Sequence, residues 1–235
     1  MASLEVLCEL RQYAEIFVAS LNEVPLDGWP YVEVIKKFKR NYQEDTFWNI
    51  AKEIVDVYIA FYNSKESVDY ANCTAIRSSI LEAILEDFAS IVELFSKECL
   101  SNLEHVEFGE KIENNVMLPA FKKCHSVYGP ATDILSIMSY VAKYLDEYSR
   151  ENILFKEASN KIIKALNQLN DLIVNNISFK ETSKNSSQKM LCGVSVWRLM
   201  YEEKWNMQID CYKTLQFYKK YPSWGNLIMK IFAIS

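Results

Sequence analysis

The 235-residue chain is predicted to be an α/β protein in which a few short extended segments are set among many helices. Three observations lead there. The apolar run Ile16–Ala19 stops at Ser20 and gives way to a loop with Pro25, Asp27–Gly28 and Pro30, the pattern of a buried strand feeding a tight loop. Several longer stretches repeat apolar residues at helical spacing. Glycine and proline number only five each, which argues against an all-β fold with its many turns.

The first element, Ser3 to Ala14, is expected to be helical, with Leu4, Leu7, Cys8 and Arg11 on one side and Val6, Leu10 and Tyr13 on another. Being apolar on two sides, it suits a helix packed between a sheet and other elements. The strand and its loop follow. Asp27–Gly28 is a turn pair, because glycine allows positive φ and aspartate bonds its own backbone. Pro30 holds Trp29 extended, and loops after buried strands are where α/β folds place ligands. A carboxylate and an indole side by side there suggest pocket walls.

Helices are then predicted over Tyr31–Lys39 and Phe47–Tyr62, the second with Phe47, Ile50, Ala51, Ile54, Val57, Tyr58, Phe61 and Tyr62 on one face. Ala71–Ile76 reads as a short extended segment. Ser79 with Glu82 has the spacing of a capping box, ahead of a strong helix carried by Leu81, Ile84, Leu85, Phe88, Ile91, Val92 and Phe95. Between Cys99 and Pro119 the pattern weakens to loop or irregular helix. Tyr128-Gly129-Pro130 marks a turn, and Thr132 or Asp133 can cap a helix with Ile134, Ile137, Met138, Val141 and Leu145 on its apolar face. A further helix spans roughly Asn152 to Val174. Ser178–Lys189 is polar and aperiodic, a surface loop by composition, and Cys192–Trp197 is the last strand. The closing segment, Tyr212 to Phe232, pairs Tyr212, Leu215 and Phe217 with Trp224, Leu227 and Ile228.

Bulk properties exclude several classes. Half of the residues are apolar, enough for a sizeable core in one large domain or a domain with a smaller companion. The net charge of −5 is spread over the chain with no basic tract, so neither nucleic acid nor an anionic membrane is an expected partner. No window approaches the ~18 uninterrupted apolar residues of a membrane span, and the first residues lack the regions of a signal peptide. The compartment is left open. Cys8, Cys73, Cys99, Cys124, Cys192 and Cys211 are spaced neither as a disulfide framework nor as zinc ligands. Adding His105 and His125 still fits no zinc template, so no metal or cofactor is expected. Cys8, flanked by Glu5 and Glu9, reads as core filler and not as a reactive thiol.

The segment Met1 to Tyr31, MASLEVLCELRQYAEIFVASLNEVPLDGWPY, resembles the stretch just after the catalytic cysteine in clostripain-type cysteine peptidases. Those are caspase-like enzymes that cut after Arg or Lys. Their nucleophile sits in an Asp-x-Cys-Leu-Met motif, followed by a helix, a strand ending Ala-Ser and a loop ending Gly-Trp-Pro-Tyr. Met1 falls on the Met of that motif, and Ala2 to Val6 follow in step. The rest of the chain agrees in element order, with Cys192–Trp197 in the place of a family strand.

The resemblance implies the C-terminal part of a caspase-like α/β sandwich over residues 1–64, and a mainly helical C-terminal region over 65–235 with a late strand at 192–197. It also implies that no catalytic residue lies in this chain. The family's histidine comes from a His-Gly turn upstream of the nucleophile, whereas His105 and His125 precede Val106 and Ser126. The implied partners are the missing upstream half of the peptidase domain and a peptide substrate with Arg or Lys. For the basic side chain, the implied substrate-binding residues are Asp27 and Trp29, with Glu23 matching the family's acidic loop and Leu21 and Asn22 departing from it. Two alternatives stay open: Asp27 reads equally as a plain turn residue, and Trp29 as a core anchor. The chain as a whole can also be a stand-alone helical interaction module that kept the scaffold without the catalysis.

Overall fold

A computed structural model describes residues 2–41, 47–68, 70–100, 112–124, 126–128, 131–151, 153–182, 191–197 and 209–233. The described residues form a mixed, helix-rich fold around two small antiparallel sheets. The order is α1 (Leu4–Leu10), β1 (Ile16–Ala19), α2 (Tyr31–Asn41), α3 (Phe47–Asn63), β2 (Asn72–Arg77), α4 (Ser78–Phe95), α5 (Leu118–Lys123), β3 (Ser126–Tyr128), β4 (Ala131–Asp133), α6 (Ile134–Glu151), α7 (Lys156–Asn176), β5 (Ser178–Glu181), β6 (Ser195–Trp197), α8 (Gln216–Lys220) and α9 (Pro222–Ala233). Single π-helical turns, Ser96–Leu100 and Glu113–Met117, stand at the start of and within the segment where the sequence pattern weakens.

The first sheet runs β1-β2-β5. Its central strand is buried from Asn72 to Ile76, as a strand covered on both faces should be. Ile16 pairs with Arg77 and Ala19 with Thr74 on one side; Cys73 pairs with Lys180 and Thr74 with Phe179 on the other. Strand β1 is half-buried instead of buried, because it lies at the sheet's edge among the described strands. Helix α3 covers this sheet with Ala51, Val55, Tyr58, Ile59 and Tyr62. Phe47, placed on the apolar face by periodicity, is 72% exposed. The buried stripe is rotated relative to the predicted one.

The second sheet runs β3-β4-β6, with Thr132 opposite both Ser126 and Val196. The chain start ties the two sheets together: the Ala2 N–H donates to the Ser20 carbonyl (2.9 Å) and the Ser195 N–H to the Ala2 carbonyl (2.8 Å). The larger core lies among α4, α6, α7 and α9, where Phe88, Leu85, Ile137, Ile162, Leu166 and Trp224 meet. Each such side chain stabilises by about 1.5–3 kcal/mol when fully buried. The Trp224 indole also donates to the Trp197 carbonyl (2.8 Å), fastening α9 to β6.

Three local expectations are corrected. The first helix ends at Leu10, and residues 11–13 form a turn. The capping box at Ser79 and Glu82 does not form: α4 begins at Ser78, its N-cap Arg77 makes no side-chain cap, and Glu82 is drawn to Arg11 (3.2 Å) and Lys220. The polar stretch predicted as loop contains β5, because pairing with the buried strand β2 outweighs its weak local pattern. Residues 183–189 of that stretch, and Gly129–Pro130 of the predicted turn, lie outside the described residues.

Candidate functional site

At the carboxyl end of β1 the chain turns sharply under the control of one buried side chain. Asn72 Oδ1 accepts from the Leu21 N–H (2.7 Å) and the Ser20 hydroxyl (3.3 Å), while Leu21 is fully buried. The next turn closes through the Gly28 N–H donating to the Pro25 carbonyl (2.8 Å), with Gly28 at φ 72°. That left-handed value strains any residue with a Cβ, so the glycine is required by the backbone. The Tyr62 hydroxyl donates to the Gly28 carbonyl, and the Trp29 ring lies 4.8 Å from Tyr58, itself 4.9 Å from Tyr62. The aromatic stripe of α3 is therefore both core and a brace for the loop. Burial pushes both phenols above their ordinary range, so both stay protonated.

Beside this loop is an open cleft of about 490 Å³. Its walls are Val18, Ala19 and Ser20 from the end of β1, Asn22, Glu23 and Val24 from the loop, and Trp29. Asn22 Oδ1 is buried without a hydrogen-bond partner among the described residues, as are the Tyr58 hydroxyl and Asn72 Nδ2. A buried polar atom left unpaired costs about 1–3 kcal/mol. Glu23 and the Trp29 ring offer a carboxylate and a π face to a cationic group.

Trp29 lines the cleft. Asp27 is not among its walls; it is half-exposed and its Oδ2 lies 3.1 Å from Lys65 Nζ. Lys65, which also lies 4.8 Å from the centre of the Phe61 ring, was not singled out by the sequence, because its partner is 38 positions away and on another element. Asn72 was missed as a brace for a similar reason: only the fold brings it under Ser20. Glu23 and Asn22 were legible as loop residues, but not as cleft walls.

The thiols offer no activated nucleophile in the described structure. Burial raises the Cys8 thiol, with Arg11 opposing that and Glu9 adding to it. It pushes Cys73 up to about 12, and Cys192 well above its ordinary value with the help of Asp133. Nucleophilic cysteines need the opposite surroundings. Cys124 is buried too, and Cys211 is exposed. His105, His125 and the side chain of Cys99 lie outside the described residues. Among the described residues no group of three His, Cys, Asp or Glu side chains is placed to hold a metal ion, and no helix is long and apolar enough to cross a membrane.

A second acidic centre stands where α6 begins. Asp133 is completely buried and takes four backbone N–H donors: Leu135 (3.0 Å) and Ser136 (3.1 Å) on Oδ1, and Cys192 (2.8 Å) and Gly193 (3.2 Å) on Oδ2. One side chain thus caps α6 and anchors the approach to β6. Burial pushes its carboxyl up to about 6 against these four donors.

With this geometry in view, a sequence model of the clostripain family matches residues 1–229. No curated protein matches the chain. Solved structures with a similar fold include an inactive zymogen C11 protease from Parabacteroides distasonis, at TM-score 0.58 and 14% identity over 94% of this chain and 56% of that one. A B. fragilis cysteine protease matches at TM-score 0.56 and 15% identity, over 95% of this chain and 83% of that one. A clostripain from Bacteroides thetaiotaomicron, in complex with a peptide inhibitor, matches at TM-score 0.55 and 13% identity, over 93% and 82%. The chain therefore spans little more than half the length of the zymogen.

Proposed function

The chain belongs to the clostripain family, and on that premise we propose that it is the C-terminal portion of a cysteine endopeptidase that cleaves after Arg or Lys. In this reading the two sheets belong to a caspase-like sandwich. The outer edge of β1 receives a strand of the upstream half, which brings the nucleophilic cysteine and the histidine. This chain contributes scaffold and part of the substrate cleft. Trp29 walls that cleft and Glu23 supplies negative charge inside it. Asp27, on the same loop and paired with Lys65, adds a second carboxylate for the substrate's cation.

The observation that carries the proposal is the cleft at the end of β1, acidic and aromatic, in a chain without the catalytic motifs. No cysteine here stands in an Asp-x-Cys sequence, neither histidine precedes a glycine, and the buried thiols are held protonated. A peptidase needs a thiolate, a proton-managing histidine and oxyanion donors in one place.

The experiment is complementation. The purified 235-residue chain alone is expected to leave Arg- and Lys-containing peptides intact. Adding a polypeptide that carries the family's His-Gly and Asp-x-Cys segments should give cleavage after Arg and Lys, lost again when that cysteine becomes alanine. Turnover by the 235-residue chain alone, abolished by Cys8→Ala, Cys124→Ala or Cys211→Ala, would place the active site within it and overturn the proposal. A chain that binds the complementing polypeptide and never yields turnover would favour the interaction module.

A further inference from the structure

The loop that carries Asp27, Gly28 and Trp29 is held by one line of side chains. Tyr58 and Tyr62 are neighbours on one face of α3, and Lys65 follows just past its end, where the Lys65 N–H donates to the Tyr62 carbonyl (3.2 Å). Their contacts run in reverse order along the loop. The Tyr58 ring lies against Trp29, the Tyr62 hydroxyl donates to the Gly28 carbonyl, and Lys65 Nζ stands 3.1 Å from Asp27 Oδ2. Successive loop residues thus have successive anchors. The first two anchors carry no charge, and the third does.

Lys65 is itself well seated. Its Nζ lies 4.8 Å from the centre of the Phe61 ring, so the ammonium rests between a π face and a carboxylate. The Lys65 and Asp27 side chains are 36% and 47% exposed, and an exposed pair of this kind adds little to stability. Its weight lies in the charge left beside the cleft. Glu23 and Asp27 bring two negative charges to this loop, and Lys65 returns one positive charge. Tyr58 and Tyr62 hold the loop without help from that charge, so Lys65 is not needed to keep Asp27 in place.

An ammonium on Asp27 is the same chemistry that a basic substrate side chain presents, a positively charged N–H donor beside an aromatic ring. An incoming cation therefore meets a carboxylate that already has a partner. Whether it shares Asp27 or displaces Lys65, it is repelled by the resident ammonium.

We propose that Lys65 is a built-in competitor for the substrate's cation, one that lowers the affinity of the cleft for basic side chains and sets how strongly charge selects them. The proposal rests on the reading of the cleft at the end of β1 as the seat of an Arg or Lys side chain.

The test titrates the whole 235-residue chain with N-acetyl-argininamide and with its uncharged isostere N-acetyl-citrullinamide. Binding is followed by nuclear magnetic resonance at the Trp29 indole N–H, which Trp29→Phe assigns by its loss. Lys65→Gln removes the charge and keeps a donor for Asp27, whereas Lys65→Arg keeps the charge. Lys65→Gln is expected to bind argininamide roughly three- to fivefold more tightly than wild type, the worth of one exposed charge at close range. Lys65→Arg should match wild type, and citrullinamide binding should be the same in all three. The gain should fade in about 0.5 M salt, where exposed charges are strongly screened. A wild-type chain that prefers argininamide, with Lys65→Gln binding it no better, overturns the competitor and leaves the reading of the cleft standing. Weaker binding by Lys65→Gln makes Lys65 a support for Asp27 and overturns the proposal too, as does a gain that citrullinamide shares. If argininamide moves the Trp29 signal in neither wild type nor Lys65→Gln, or neither chain tells it from citrullinamide, the reading of the cleft falls and the proposal with it.

Discussion

Gly193→Ala should cost far more than its single methyl group suggests. Gly193 has φ 85°, which strains any residue with a Cβ by about 1–2 kcal/mol. A Cβ built there would also stand 2.5 Å from Cδ2 of Phe179 on β5 and 2.9 Å from Cβ of Thr74 on β2. Neither contact is tolerable, and the Thr74 atom sits next to its own backbone in a central strand. Relief requires moving residues 192–194, whose N–H groups at Cys192 and Gly193 are held by Asp133. Overpacking of this kind adds about 1–3 kcal/mol, for a total of roughly 2–5 kcal/mol. Gly28→Ala is the matched control. At φ 72° it meets the same backbone strain, but its Cβ would find nothing within 4 Å, so only about 1–2 kcal/mol is expected. Guanidinium chloride unfolding followed by far-UV circular dichroism measures both. If the two variants lose the same stability within about 0.5 kcal/mol, the close approach of the two sheets at Gly193 is not felt and the packing argument fails.

Other expected outcomes test the cleft and the helix clasp. Tyr62→Phe removes the donor to the Gly28 carbonyl and should destabilise by about 1 kcal/mol in the same unfolding assay; no change would mean the phenol does not brace the loop. Asp27→Asn in the isolated chain should cost less than about 1 kcal/mol, because its partner Lys65 is half-exposed. In a complemented enzyme the same change should lower the rate on Arg substrates while leaving matched Gln substrates level. A parallel fall in both assigns Asp27 to the turn alone. The Glu82 carboxyl is held below its ordinary range by the hydrogen bond from Lys220 and by Arg11. Its contribution is therefore present above the unfolded carboxylate pKa and lost as pH falls through the lower folded value. Since the side chain is one-third exposed, the effect should stay under about 1 kcal/mol, and Glu82→Gln should flatten that part of the acid limb of the stability curve.

Where the sequence was legible, the deciding interactions were local. The run Asp27-Gly28-Trp29-Pro30 announced its turn because glycine φ and proline sterics act within four residues, and Gly28 does sit in the left-handed region. Helices α4 and α7 were visible because a buried stripe repeats along one element: Leu81, Leu85, Phe88 and Phe95 in one, Ile162, Leu166, Leu169 and Ile173 in the other. The mixed α/β class followed from the same signals. Strand β5 was hidden because Ser178–Glu181 has no pattern of its own; what makes it a strand is β2, more than a hundred positions earlier, offering Thr74 opposite Phe179.

The carboxylates show why site residues are harder to read than elements. Glu82, three residues after Ser79, has the spacing of a cap, yet α4 forms without it and Glu82 goes to Lys220, 138 positions away. Asp133 was legible as a cap for α6, and Oδ1 does that, but Oδ2 serves Cys192 and Gly193, some 60 positions on. Glu5 reads from the sequence only as an acid beside Cys8, and the fold buries it against Trp197, 192 positions away. Asp27 keeps its local turn and acquires Lys65. A carboxylate has two oxygens and several lone pairs, so a local motif fixes at most part of its bonding and the fold assigns the rest. Asp133 shows this most fully: Oδ1 closes the start of α6 beside it while Oδ2 reaches Cys192 and Gly193, so one buried side chain joins a local motif to a distant strand.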